Sequence, residues 1–240
     1  MNRDAIKYIA AFAMLLNHIA AVLLPQEKIW YWVFTDIGYF TAVVMCYFLV
    51  EGFRYTRSVS GYQNRILLFA LISQLPYCMA FAESGVIQMR NLNMLFTLYL
   101  CTWVIRVMHT VTDPRIRGLT AGLLTLATVL CDWPLLAAVY TLLFVWADES
   151  RKKKWIAFVI GGLALCNTVF SINEGRIPLE MNLICTAGAF LAVLAAGYCI
   201  QCLYNGERMQ IGRTFSKWFF YGFYPVHLLV LALVRIAWFR

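Results

Sequence analysis

The stretch AIKYIAAFAMLLNHIAAVLL, Ala5 to Leu24, decides the fold, because all of its residues except Lys7, Asn17 and His18 are apolar or aromatic. A helix of that length rises about 30 Å, the thickness of the hydrocarbon core of a bilayer. Lys7 and His18 are eleven residues apart. That spacing rotates a helix by about 1100° and lifts it about 16 Å, so both side chains fall on one stripe. Ionisable groups cost at least ~2.5–3.5 kcal/mol at mid-membrane and usually face a bundle interior or a wet cavity, which makes the pair a candidate site. Basic residues ahead of an apolar core also mark signal peptides, but Pro25-Gln26-Glu27-Lys28 follows here instead of a small-x-small cleavage site. The segment is expected to be a retained span.

Similar runs recur outward from it, at about 30–53, 66–82, 91–108, 119–132, 134–147, 155–171, 182–203 and 217–238, in a chain of 240 residues that is 62% hydrophobic and 13% charged. The expectation is an all-α, polytopic transmembrane helical bundle of about nine spans forming one domain, 1–240, with no repeat or linker. The segments 119–132 and 134–147 are short and meet at Asp132-Trp133-Pro134, so a re-entrant hairpin fits them as well as two spans.

Charge sets the expected orientation. Fifteen of the 20 Lys and Arg fall on one side of this scheme, in the N-terminus, the 54–65 loop, the 106–117 region, Arg151-Lys152-Lys153-Lys154 and the 208–217 region. Lys28, Arg90, Arg176, Arg235 and Arg240 fall on the other. The positive-inside rule then places the N-terminus in the cytoplasm and the C-terminus outside, in an inner membrane of the bacterial kind. The net charge of +8 is a topology signal, and no soluble segment is present to bind nucleic acid.

The eight cysteines are scattered, and Cys199-Ile-Gln-Cys202 has neither a second pair nor a nearby histidine, so no metal site is expected. Among the three histidines, His109 is read as solvated at a helix end and His227 as a hydrogen-bonding donor between helices. His18 differs because of the aligned Lys7 and a second basic pair, Arg54 and Arg57, three residues apart just after Glu51 on the same membrane face. On a helix that spacing shares one side, and two guanidinium forks there suit a polyanion. Phosphate anchors at the cytoplasmic face, with an imidazole deep in the membrane, fit a ligand with a charged head and a thin reactive tail, such as an acyl coenzyme A. His18 is then the base for an acceptor hydroxyl or amine, or the group that takes the acyl. Glu51 reads equally as an ion-pair partner of Arg54 or Arg65 and as a group setting the site's charge. Gln74, Asn93 and Thr97 read as interhelical hydrogen bonders or acceptor ligands, and Arg90 as an interfacial arginine.

The spacing of Lys7 and His18 resembles the basic-x10-His signature of transmembrane acyltransferases of the type three kind, and Arg54-Tyr-Thr-Arg57 resembles their R-x-x-R motif. The whole chain is more similar to the TraX family, named for an inner-membrane protein that N-acetylates conjugative pilin. The likeness is carried by MLLNH (14–18), FLVEGFRYTR (48–57), RILLFALISQLPY (65–77), NLNMLFTL (91–98) and FYPVH (223–227). It implies an integral-membrane transferase that uses acetyl-CoA or another acyl-CoA as co-substrate and no metal. The acceptor would be an amine or hydroxyl in or beyond the bilayer, such as a pilin-like N-terminus or an envelope glycan. Lys7, Arg54 and Arg57 would hold the cofactor; His18, Asn17 and Glu51 would serve catalysis. Family members carry Asp where Asn17 stands, and Gly-Arg and Phe-Pro where Gly38-Tyr39 and Ala42-Val43 stand. Without that carboxylate His18 is less basic, unless Glu51, Asp36 or Asp132 orients it from another helix. Two other classes use the same buried charges or none: a small transporter or proton or anion relay through His18 and Lys7, and a non-catalytic assembly factor for a surface appendage.

Overall fold

A backbone in hydrocarbon has no water to bond, and a helix satisfies its own N–H and C=O groups. The computed structural model describes residues 1–82 and 91–238, leaving Arg90 and Arg240 outside the described residues. Among the described residues the α-helices are α1 (Arg3–Leu23), α2 (Ile29–Arg54), α3 (Val59–Ala80), α4 (Met94–Thr110), α5 (Pro114–Ala127), α6 (Leu136–Ala147), α7 (Arg151–Asn173), α8 (Leu179–Tyr198) and α9 (Arg213–Trp238). A 3-10 turn, Thr128–Leu130, follows α5, and a π-helical turn, Cys199–Leu203, follows α8. No strand forms among the described residues; a single parallel bridge joins Leu92 to Cys131. The starts are written in the sequence. Asn2, Ser58, Asn93, Asp113 and Ser150 each accept a first-turn N–H, and Pro114 needs no partner at the first position of α5.

Every expected apolar segment holds a helix, but helix and span are not the same thing. Among the described residues five helices are long and apolar enough to cross a membrane: α1, α2, α7, α8 with its π-turn, and α9. The helices α4 and α6 are apolar but shorter. With 14 residues, α5 rises only ~21 Å, and α3 opens on the polar run from Ser60 to Arg65.

Outward faces carry the large apolar side chains. Phe12, Leu68, Leu75, Leu119, Leu123, Leu163, Ile184, Leu191 and Leu233 are all more than half exposed. Many alanines and cysteines and polar residues such as Thr97, Thr102, Asn93 and Asn182 are buried, beside apolar residues such as Phe144, Phe158 and Leu228. A chain in water would not expose so many large apolar groups, whereas lipid solvates them.

The chain divides into two compact units, Met1–Met45 with Glu149–Phe220 and Cys46–Asp148 with Tyr221–Arg240, and α2 and α9 each supply residues to both. Within the first, small residues set the helix spacing. Phe190 of α8 fills the notch at Gly162 of α7, and Trp155 and Phe158 of α7 fill the notch at Gly197 of α8. The start of α1 is clamped to the start of α9: buried Asp4 accepts from Ser216 Oγ at 2.6 Å and from the Met209 amide at 2.9 Å. Within the second, Gln63 donates to Thr102 Oγ1 at 3.1 Å between α3 and α4, and Asn93 donates to Ala70 O and Gln74 Oε1, both at 2.8 Å. Arg235 of α9 closes the end of α3 by donating to Ala80 O at 2.7 Å and also to Ala82 O.

Candidate functional site

In the first unit, α1 is unbroken from Lys7 to His18, so Lys7, Ala11, Met14 and His18 line one stripe as the spacing requires. His18 is buried, at 7% exposure. The Lys7 ammonium lies over the Phe220 ring of α9, 5.4 Å from its centroid, and the next residue, Tyr8, packs against Phe219 and Phe220. An aromatic face partly offsets the cost of taking an ammonium from water.

Asn17 faces α2. Its Nδ2 donates to the Thr35 carbonyl at 3.3 Å, and its side chain occupies the space that a Cβ at Gly38 would take. A carboxylate at position 17 would set an acceptor against an acceptor, so the amide suits this crossing. The contact also fixes register: Asn17 meets residues 35–38 of α2, which brings Asp36 to the depth of His18 within the same unit. The Asp36 carboxylate is seated in turn at Gly188 of α8, where any Cβ would overlap it. Of the three acids weighed as partners for His18, Asp36 is the one in its own unit; Glu51 and Asp132 belong to the other.

In the second unit the basic pair departs from the expected geometry. Helix α2 ends at Arg54, and the last bond of that turn runs from the Tyr55 amide to Glu51 O at 3.2 Å. Arg57 therefore stands in the reversal between α2 and α3, not one turn along a helix from Arg54. The cause is the short connection: Ser58 already caps α3 through the Gly61 amide, and Thr56 Oγ1 donates to Ser58 O. Arg54 is ion-paired with Asp148, just beyond α6, while Arg57 is exposed. Of the two expected cofactor forks, one is thus engaged by a carboxylate. Glu51 is half-buried in the last turn of α2.

Gln74 and Asn93 form one polar knot, and Thr97 is bonded separately. Gln74 Oε1 accepts from the Asn93 amide at 3.0 Å, Gln74 Nε2 donates to Asn91 O at 3.1 Å, and the Thr97 hydroxyl donates to Asp132 O. Among the described residues no group of His, Cys, Asp and Glu is arranged to hold a metal ion. The sequence reading missed the buried Asp4 clamp and the Asp36–Gly188 seat. For Asp36 a signal existed, a lone carboxylate inside an apolar run; for Asp4 none did, since an acid in a first turn is ordinary.

A protein similar to this chain is the probable fimbrial assembly protein FimC, serogroup H1, of Dichelobacter nodosus, 28% identical over 238 residues that cover 96% of this chain and 94% of its own. No solved structure matches. The model of the TraX protein family matches residues 2–235, nearly the whole chain, and on that match the chain belongs to the TraX family.

Proposed function

We propose that this chain is an integral-membrane acyltransferase of a bacterial inner membrane. It takes an acyl group, acetyl before others, from cytoplasmic acyl-CoA and gives it to an amine or hydroxyl in or beyond the membrane, in the service of fimbria or pilus assembly. The observation that carries the reading is His18: an imidazole buried in an apolar helix, on the stripe that Lys7 opens. The stripe also supports kinship with acyltransferases of the type three kind. In the first unit Lys7 is the group for phosphate oxygens; in the second, Arg57 is a separate candidate for such oxygens, with Arg54 joining if Asp148 releases it. His18 meets the thioester end, as base or as nucleophile. The orientation of this reading has the N-terminus and the 151–154 cluster in the cytoplasm and the C-terminus outside, with all nine helices at membrane depth and α5 and α6 entering from the cytoplasmic side.

A second reading, a non-catalytic assembly factor, is favoured by the name of the Dichelobacter relative. The purified protein in detergent separates the two. The transferase binds acetyl-CoA and passes labelled acetyl to an amine; the assembly factor does neither. His18→Ala should keep acetyl-CoA affinity and lower transfer by about 10²–10⁴-fold, as for a lost general base. Wild-type turnover in that variant would remove His18 from the chemistry.

A further inference from the structure

His18 belongs to the first unit and Arg54 and Arg57 to the second, which leaves Lys7 as the cation placed with His18 on its own helix. Coenzyme A carries several phosphate charges, more than one ammonium balances. The first unit brings further cations to Lys7 where α9 begins. Asp4 of α1 accepts from Ser216 Oγ of α9 at 2.6 Å, and one turn along both helices the Lys7 ammonium stands 5.4 Å from the centroid of the Phe220 ring. Tyr8 repeats the contact, with its ring 5.0 Å from that of Phe219 and 4.8 Å from that of Phe220. The two helices therefore start side by side, running in the same direction and in register.

That register gathers charge. Arg213, Lys217 and Phe220 are spaced i, i+4 and i+7 on α9, so the two cations share a stripe with the ring that carries Lys7. Along the axis Lys217 lies about 4.5 Å and Arg213 about 10.5 Å from the level of Phe220, towards the start of the helix. Both side chains are exposed. Arg213 Nε donates to Met209 O at 2.9 Å, which ties the guanidinium to the turn before α9, while its Nη groups bond nothing among the described residues. The Lys217 ammonium stands 5.2 Å from the centroid of the Trp218 ring. Aromatic faces hold cations in place without neutralising them. Asp4, the acid on this stretch of α1, is taken up by Ser216 Oγ and the Met209 amide, and neither Arg213 nor Lys217 has an ion-pair partner among the described residues. Three cations beside one engaged carboxylate leave this end of the unit positive, and such a cluster attracts a polyanion.

We propose that Arg213 and Lys217 join Lys7 as the phosphate site of the first unit, and that the phosphates of acyl-CoA fill it while the thioester runs along the α1 stripe towards His18. This rests on the acyltransferase reading. Anionic lipid headgroups carry phosphate esters too. What favours the nucleotide is Lys7, which is half-buried on the His18 stripe and a turn deeper than the exposed cations, so the site continues inwards instead of ending at the bilayer surface.

The test uses the full-length protein in nanodiscs of phosphatidylcholine, with acetyl-CoA and with S-acetylpantetheine, a thioester that keeps the reactive tail and has no phosphate. Arg213→Gln should weaken acetyl-CoA binding about 10-fold, the size of one charged hydrogen bond, and Lys217→Gln should do likewise. Acetyl transfer from S-acetylpantetheine should stay at the wild-type rate in both. Lys217→Gln decides the matter if Arg213→Gln does not fold. Unchanged acetyl-CoA affinity in the folded variants overturns the site and leaves the transferase reading standing, and so does an equal loss with the phosphate-free thioester. Adding phosphatidylglycerol to the nanodiscs separates the lipid: if the substitutions remove only the thermal stabilisation that this lipid gives the wild type, the cations belong to headgroups and the proposal falls. A wild-type protein that binds no acetyl-CoA defeats the transferase reading itself, and the phosphate site with it.

Discussion

Asn17 and Gly38 show how far a single residue is legible before its neighbours are known. His18 declares itself, because an ionisable group in an apolar run costs energy wherever it is placed. The partner of Asn17 does not, because the pairing with Gly38 and Thr35 depends on how two helices cross. Gly38→Ala should lower thermal stability by about 1–3 kcal/mol, since the new methyl meets the Cβ of Asn17 and not only its mobile end. Asn17→Asp should cost a similar amount by losing the donor to Thr35 O and burying a charge against a carbonyl. Melting curves of both variants check this; wild-type midpoints would mean the crossing is looser than described. Arg57→Ala should weaken acetyl-CoA binding by roughly 1.5–3 kcal/mol, the worth of a charged hydrogen bond. Arg54→Ala should cost less, because Asp148 already holds that guanidinium. Titration of the two variants ranks them, and a larger loss for Arg54 would reverse the assignment.

Elements were legible in number and poorly legible at their ends, for a reason that recurs. Hydropathy finds the part of a helix that lipid touches, whereas capping residues begin it earlier. Helix α3 starts at Val59 under the Ser58 cap, well ahead of its apolar run at 66, and α7 starts at Arg151 under Ser150 instead of at 155. The reverse error made Arg54 and Arg57 helical neighbours: three residues are one helical turn only if the helix continues. The turn at 131–135 was legible as a break, from Asp132-Trp133-Pro134, but not as a γ-turn, in which the Leu136 amide donates to Pro134 O at 2.6 Å, since leucine gives no hint of the φ of 62° found at Leu135. Leu135→Gly tests that geometry. Relief of about 1–3 kcal/mol of strain outweighs the ~0.5–1 kcal/mol entropic cost of glycine, so stability should rise by about 1 kcal/mol. A fall in melting midpoint would show that packing of the leucine side chain, 41% exposed, matters more than its backbone.

At the scale of the molecule, the charge count predicts one orientation and the hydropathy count more spans than helix length supports. The two compact units were not legible at all. Each is assembled from two separated stretches of chain, and α2 and α9 cross the division without any change of composition. Orientation is the part that can be measured directly. A reporter active only in the cytoplasm, fused after Lys154, should be active, and one fused in the turn at Gly175 between α7 and α8 should be silent. The opposite pattern would move the entry side proposed for acyl-CoA and require the roles proposed for Lys7 and Arg57 to be reassigned.

The clamp of Asp4 on Met209 and Ser216 has a consequence in time. These residues lie about 205 positions apart, and at ~5–20 residues per second roughly 10–40 s of synthesis separate them. Until residues 209–216 are made, the head of α1 is held only by what has already been inserted, and its carboxylate lacks these two donors. A chain halted early therefore differs at its first turn from one that has passed residue 216, and a protease surveying nascent proteins has that turn to recognise; chains halted before residue 209 should turn over faster than chains extended past residue 216.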